Sequence, residues 1–426
     1  MNRKNCLYII VFSLLSSVAL SQISTNSPYS RFGLGSLNSS ISSEQTALGG
    51  SSVSYFNSNS INFNNPATYS SFQPKSFLFS TAIKSSFHNF STVDQSQNET
   101  NTSFSHLAIG FPINNYVSVS SGLLPYSSVG YNLDYDTLYP DLENAVSISS
   151  SGNGGLSEYF FGTAIKLHNT LSVGINASYL FGGLTNNKTA NFNNQEIFNV
   201  SSVDRKNITG LSYEAGFLFN KEINKDKYVA VGASFQNNSE LDVKQSILAT
   251  TYDLNSTSII IKDTFQIDTI FGNIVIPNKI SVGLSYSTKR LLLVMNYSSQ
   301  DWSDYQFLAN GVSLNEDNLN NSICYSGGLQ FTPKYNAHNK YWKKINYRLG
   351  GRYNQTYLSL RNNQLTEKSL TFGVGLPIKR TNTYYNLSVE LCDKGTTEEN
   401  LIKEQFIRVS FGVTFKGIWF VKRKYD

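Results

Sequence analysis

Charge is scarce in this chain of 426 residues: Lys, Arg, Asp and Glu together make up 15%, against about a quarter in soluble globular proteins. Beyond Ser21 no stretch approaches the roughly 18 consecutive apolar residues that a membrane-spanning helix needs, which excludes a helical membrane protein. Cysteine occurs at Cys6, Cys324 and Cys392, too few for a disulfide framework, and the last two fall in segments not expected to be neighbours. The four histidines, His88, His106, His168 and His338, have no metal-ligand spacing, so no metal site is expected. Asp301, Asp304, Glu316 and Asp317 read as solvated surface carboxylates rather than a cation site. There is no Gly-x-Ser-x-Gly elbow and no phosphate-cradling glycine loop, so no catalytic residue and no cofactor is assigned and the chain is not expected to be an enzyme. The formal net charge of +5 drops to about +3 once Arg3 and Lys4 are set aside. The basic cluster Lys422, Arg423 and Lys424 reads as a solvated end beside an anionic membrane surface, and no nucleic-acid partner is expected.

What the chain does have is aromatic residues, 13% of the total, and a persistent period of two. Leu107, Ile109, Phe111 and Ile113 alternate with small or polar residues. So do Leu171, Val173, Ile175, Ala177, Tyr179 and Phe181, and later Ile407, Val409, Phe411, Val413 and Phe415. Alternation of this kind marks strands with one apolar and one polar face. Its recurrence along a whole chain predicts an all-β protein, a transmembrane antiparallel β-barrel. The N-terminus gives the compartment. Arg3 and Lys4 precede an apolar run from Leu7 to Leu15, and Ala19-Leu20-Ser21 offers a cleavage site before Gln22, so residues 1–21 read as a secretory signal peptide. Export together with membrane-type strands predicts an outer membrane, with the lipid bilayer as the first partner.

Residues 22–74 lack sustained alternation and carry Gly33, Gly35, Gly49 and Gly50; residues 75–426 hold the strand series. Short connections at 114–115, 168–170, 220–227, 288–290, 333–344 and 379–383 alternate with longer polar stretches at 88–103, 125–155, 184–208, 237–278, 300–321, 357–366 and 393–403. That count predicts about 14 strands, with short periplasmic turns, long external loops and both termini in the periplasm. The segments 76–87 and 116–124 alternate poorly. Strand centres are expected near residues 80, 109, 120, 162, 176, 214, 232, 283, 294, 328, 349, 373, 388 and 410.

If Ile345, Tyr347, Leu349 and Tyr353 face lipid, Arg348 and Arg352 face the lumen, and the same logic turns Lys166, Glu390 and Arg408 inward. Inward placement avoids the roughly 2 to 4 kcal/mol that a Lys or Arg costs on the lipid face at the midplane. The N-terminal segment is expected to fill this polar lumen as a plug, with Arg31 among the lumen charges. Arg348, Arg352 and Arg408 are expected to pair with Glu390, Glu44 or backbone carbonyls.

Ala47-Leu48-Gly49-Gly50-Ser51-Ser52-Val53-Ser54, followed by Ser58-Asn59-Ser60 and Asn65-Pro66-Ala67, resembles the hatch of the FadL family of outer-membrane channels for hydrophobic compounds. The opening Ser27-Pro28-Tyr29-Ser30-Arg31-Phe32-Gly33-Leu34-Gly35 and the closing Trp419 to Asp426 look like those of FadL-like barrels from Bacteroidota. The resemblance implies a hatch-plugged barrel of 14 strands and passive uptake of a hydrophobic small molecule such as a fatty acid, with the plug motif Gly49, Gly50, Asn65, Pro66 and Ala67. The loops match nothing in that family and are rich in Asn, Ser and Asp, so no ligand-binding residue is carried over. The alternatives are a non-transport barrel subunit of an outer-membrane secretion or surface-protein assembly complex, and a simple diffusion pore.

Overall fold

The computed structural model describes residues 25–38, 41–138, 145–192, 197–255, 258–309, 312–314, 318–334, 340–378, 381 and 383–419. The expected leader, His338, Glu316, Asp317 and the basic tail lie outside these. The strands are β1 (Ser36–Leu37), β2 (Ser76–Ser91), β3 (Ser96–Pro112), β4 (Val117–Thr137), β5 (Val146–His168), β6 (Leu171–Phe192), β7 (Asn199–Asn224), β8 (Lys227–Gln236), β9 (Ser239–Asn255), β10 (Ser258–Ile276), β11 (Lys279–Ser287), β12 (Leu291–Asp301), β13 (Gln306–Ala309), β14 (Val312–Leu314), β15 (Asn321–Phe331), β16 (Asn346–Leu360), β17 (Asn363–Pro377), β18 (Tyr384–Lys394) and β19 (Lys403–Ile418).

Fourteen of them close a ring: β2 to β8 in order, then β11, β12 and β15 to β19, with β19 pairing back onto β2 from Lys403↔Ser91 to Ile418↔Ser76. Closure follows from the solvent. Hydrocarbon offers no partner for a free strand edge, so every backbone donor and acceptor of the wall must be satisfied by another strand. The expected barrel of about 14 antiparallel strands is what the chain forms, and each expected strand centre falls inside a wall strand. Outward side chains such as Leu284 (57% exposed) and Met295 (67% exposed) form the lipid belt. Inward positions carry Ser, Asn, Gly and the charges.

Strands continue where polar loops were expected. The stretch 88–103 is mostly β2 and β3, joined at Thr92 to Gln95 with a 2.9 Å backbone bond, and 357–366 is β16 and β17 joined at Arg361 and Asn362, both at positive φ. Past the lipid belt both faces of a strand meet water, so period two disappears from the sequence while the backbone pairing persists. The stretch 237–278 is the hairpin β9–β10. It leaves the ring, pairs along β7 from Asn199 to Gly210, and takes β13 on its other side over Gly272–Val275.

A second difference concerns the termini. β2 begins and β19 ends at the end of the barrel that carries the shorter turns. Residues 25–31 instead lie at the opposite, loop end, where Ser27 donates to Glu404 and the Tyr29 hydroxyl donates to the Ile402 carbonyl at 2.7 Å. The expectation of both termini on one side therefore does not hold for the described N-terminal residues: the segment threads the lumen before reaching the wall.

Candidate functional site: the filled lumen

From Ser42 the chain makes one helical turn, Ser43–Thr46, closed by a capping box in which Ser42 and Gln45 satisfy each other's backbone N–H. It then runs around the inside of the wall. Ala47 and Leu48 lie against β17 and β15, Val53 and Ser54 against β8 and β11, Pro66 and Ala67 against β6, and Phe72 against β3. Contact this close needs glycine on the wall, and at one point on both partners. Gly49 sits at φ +71°, and a Cβ on wall residue Gly350 would stand 2.2 Å from the Gly49 nitrogen. The Gly49 N–H donates to Thr371 Oγ1 at 3.0 Å. Asn65 is fully buried. Its amide donates to the Val53 carbonyl at 2.7 Å and to the Phe217 carbonyl at 3.0 Å, while its oxygen accepts from the Ala67 N–H at 3.1 Å. Asn65, Pro66 and Ala67 thus fix a turn to β7 and open the 3-10 helix Pro66–Ser71.

Of the arginines singled out in the sequence, Arg348 joins this framework, and Arg352 and Arg408 pair within the wall. Arg348 donates to Glu44 at 2.7 Å, to Asn386 at 2.9 Å and to Gln330 at 2.7 Å; Glu44 also accepts from the Tyr55 hydroxyl at 2.7 Å. Arg352 bridges Glu367 (2.7 Å) and Glu390 (2.6 Å), and Arg408 completes the chain at 2.9 Å from Glu390. Lys166 lies on the inward register of β5 beside Ala164, at the turn end. Arg31 departs from the expected set: it is exposed at the loop end, over the Phe32 ring, and is no lumen charge. Burial pushes the Tyr29 hydroxyl up to about 12, keeping it a protonated donor to Ile402.

Sequence reading missed Lys416, which ties the segment at the turn end through the Ser58 carbonyl (3.0 Å), Asn59 (2.6 Å) and Gln73 (2.9 Å). It also missed Lys84, whose amino group donates to Asn38 at 2.8 Å, and the inward carboxylates Glu158, Glu214 and Glu367. Lys416 could have been found, because it continues the inward series Arg408, Ser410, Gly412 and Thr414.

Above the segment lies a cavity of about 370 Å³, lined largely by hydroxyl, amide and charged side chains, among them Lys84, Asn101, Glu158, Glu214, Lys279 and Arg408. Over it the loop end closes with a packed apolar cap. Leu34, Leu156, Leu180, Ile208, Leu241, Ile274 and Trp302 are each at most 2% exposed, and the Trp302 ring packs at a tilt 4.9 Å from that of Tyr357. One seam of the wall is short. β3 pairs with β4 only between Leu107–Pro112 and Ser118–Leu123, although both strands run on toward the loop end. There β1 lays Ser36 and Leu37 against Ser128 and Ser127, and the Asn38 N–H donates to the Tyr126 carbonyl at 2.9 Å.

A closed barrel of 14 antiparallel strands with its own N-terminal segment threaded through the lumen defines the structural class as a filled transmembrane β-barrel. The Pseudomonas putida toluene transporter TodX superposes with a TM-score of 0.61 at 15% identity, over 89% of this chain and 98% of that one. The Ralstonia pickettii toluene transporter TbuX gives 0.59 at 14% identity (88% and 98%), and a Pseudomonas aeruginosa FadL homologue 0.59 at 11% identity (88% and 96%). At such identities the likeness is one of fold. The chain itself belongs to the BamG family, whose model matches residues 1–426. No curated protein matches it.

Proposed function

We propose that this protein is a sealed outer-membrane barrel serving as a non-transport subunit of a secretion or surface-protein assembly complex, with the segment 22–74 as a permanent plug. The observation that carries this reading is the polar, pinned interior. An apolar solute passing from the cap toward the short seam would have to displace water or hydrogen bonds from Lys84, Glu158 and Glu214, and each buried charge left unpaired costs several kcal/mol. The plug is tied to the wall by the Arg348–Glu44 pair, by Lys416 and by Asn65. Membership in a family other than that of the hydrocarbon transporters supports the same reading. The signal-like residues 1–21 and the barrel rules for turns and loops support an orientation with the turn end in the periplasm and the loop end outside.

The test is purification in mild detergent from native membranes, followed by uptake assays in proteoliposomes. We expect stoichiometric protein partners and no transport of labelled toluene or long-chain fatty acid above empty vesicles. A barrel that purifies alone and accelerates uptake would overturn the reading. The second reading, uptake of a hydrophobic small molecule, is favoured by the short β3–β4 seam, which offers a lateral exit once residues 36–38 move. A disulfide across that seam that abolished uptake would establish it.

A further inference from the structure

The hairpin β9–β10 carries large apolar side chains where no lipid reaches them. Along β7 the outward positions Phe219, Phe217, Tyr213 and Leu211 are exposed and apolar, and the next ones, Thr209, Asn207 and Arg205, are polar, so the belt ends near Gly210. Tyr252 of β9 pairs with Asn199 of β7, and Ile261 of β10 pairs with Tyr252. Ile261 therefore stands about 40 Å along the strand beyond Leu211, at about 3.3 Å per residue. Strand tilt reduces the height, but not to the depth of the hydrocarbon. Even so, Ile259, Ile261 and Phe265 are each 62 to 66% exposed.

The backbone beside them is open as well. β9 covers one edge of β10 along its length, while on the other edge β13 pairs only with Gly272–Val275; among the described residues no strand pairs with that edge from Ser258 to Phe271. An open edge with exposed apolar side chains is a template for another strand. The chain itself shows how that edge is used, because β13 already occupies its root in antiparallel register.

We propose that the outer edge of β10, centred on Asp263–Ile267, is the docking strand for an extended segment of a partner protein, which adds antiparallel in continuation of β13 and covers Ile261 and Phe265. This deepens the proposed subunit role and rests on it. A second copy of this chain does not fit the seat: copies in one membrane share their direction across it, so a two-fold axis along the normal would set their β10 strands parallel. Register shifts at Ile261/Asp263 and Ile267/Ile270 confine the seat to about five residues between bulges. Such bulges select a short matching strand over open-ended edge stacking.

The test uses the full-length protein in its complex, purified in mild detergent from native membranes. Amide exchange over residues 258–271 is compared with that of the same barrel after its partners have been stripped. Exchange at 263–267 is expected to be at least tenfold slower in the complex. The I261E/F265E variant is expected to assemble as a heat-resistant barrel but to lose the partner, whereas D94K, on a distant loop-end turn, retains it. A complex whose 263–267 amides exchange as fast as those of the stripped barrel, or one that survives I261E/F265E, overturns the docking site and leaves the subunit role standing. A barrel that emerges alone from every native preparation overturns the subunit role and the docking site with it.

Discussion

At the level of single residues, the Arg348–Glu44 pair is the contact on which the lumen filling most depends. Arg348 is 4% exposed and spends its donors on Glu44, Asn386 and Gln330. Arg348→Ala would leave the Glu44 carboxylate buried without its cation, a loss of about 3–5 kcal/mol for a broken buried pair. The expected outcome is faster amide exchange across residues 43–50 with the wall unchanged, partly restored when Glu44→Gln is added. An unchanged exchange profile would show that the glycine contacts hold the segment without the charges. That these arginines point inward was legible from alternation alone, since each has at least one outward aromatic or aliphatic neighbour. The identity of their partners was less so. Glu44 lies 304 positions from Arg348 and sits in a segment without periodicity, so its register against the wall is set by the fold. Arg31 shows the limit: its neighbours Tyr29 and Phe32 give no period, and only the path of the chain places it at the loop end.

Among elements, the wall strands were readable because lipid on one side and water or a polar plug on the other force period two over each membrane crossing. Legibility stopped where the lipid stops. The outer parts of β2, β3, β16 and β17 look like loops in sequence because both faces are wet, yet their ladders continue to Ser91↔Ser96 and Leu360↔Asn363. The weak alternation of β4 has another cause. Within 116–124 the outward Ser121 donates to the Tyr159 hydroxyl and the Phe160 carbonyl, while the inward Leu124 packs with Ile61, Phe63, Tyr69 and Phe72 of the lumen segment, so polar and apolar residues trade faces. β1 itself, two residues long, has no sequence signature. Its role is testable: removing residues 25–38 frees the β4 edge at Ser127 and Ser128, and amide exchange there should rise by one to two orders of magnitude, about 1.4 kcal/mol per tenfold. Exchange in the Leu107–Pro112 ladder should stay unchanged. If both regions loosened together, β1 would be a brace for the entire seam rather than a local cover.

On the scale of the whole molecule, the wall and its filling make separate predictions about the membrane. The ring of 14 strands satisfies its own backbone, so its closure does not depend on residues 25–74. The filled lumen leads us to expect no conductance from the intact protein in a planar bilayer. Removing residues 25–74 should open a stable pore, and the wall charges set its preference. Lys84, Lys166, Lys279, Arg348, Arg352, Lys394, Arg408 and Lys416 line the interior against Glu158, Glu214, Glu367, Glu390 and Glu404, eight cations to five carboxylates. Excess charge of one sign in a low-dielectric channel concentrates the opposite ion. The emptied barrel should therefore favour chloride over potassium, with a reversal potential that shifts toward zero as salt rises and screening sets in. R348A and R352A together should give intermittent openings of the intact chain with a weaker anion preference, because two of the eight cations are gone. A steady current from the unmodified protein would mean that the segment leaves an aqueous path through the barrel.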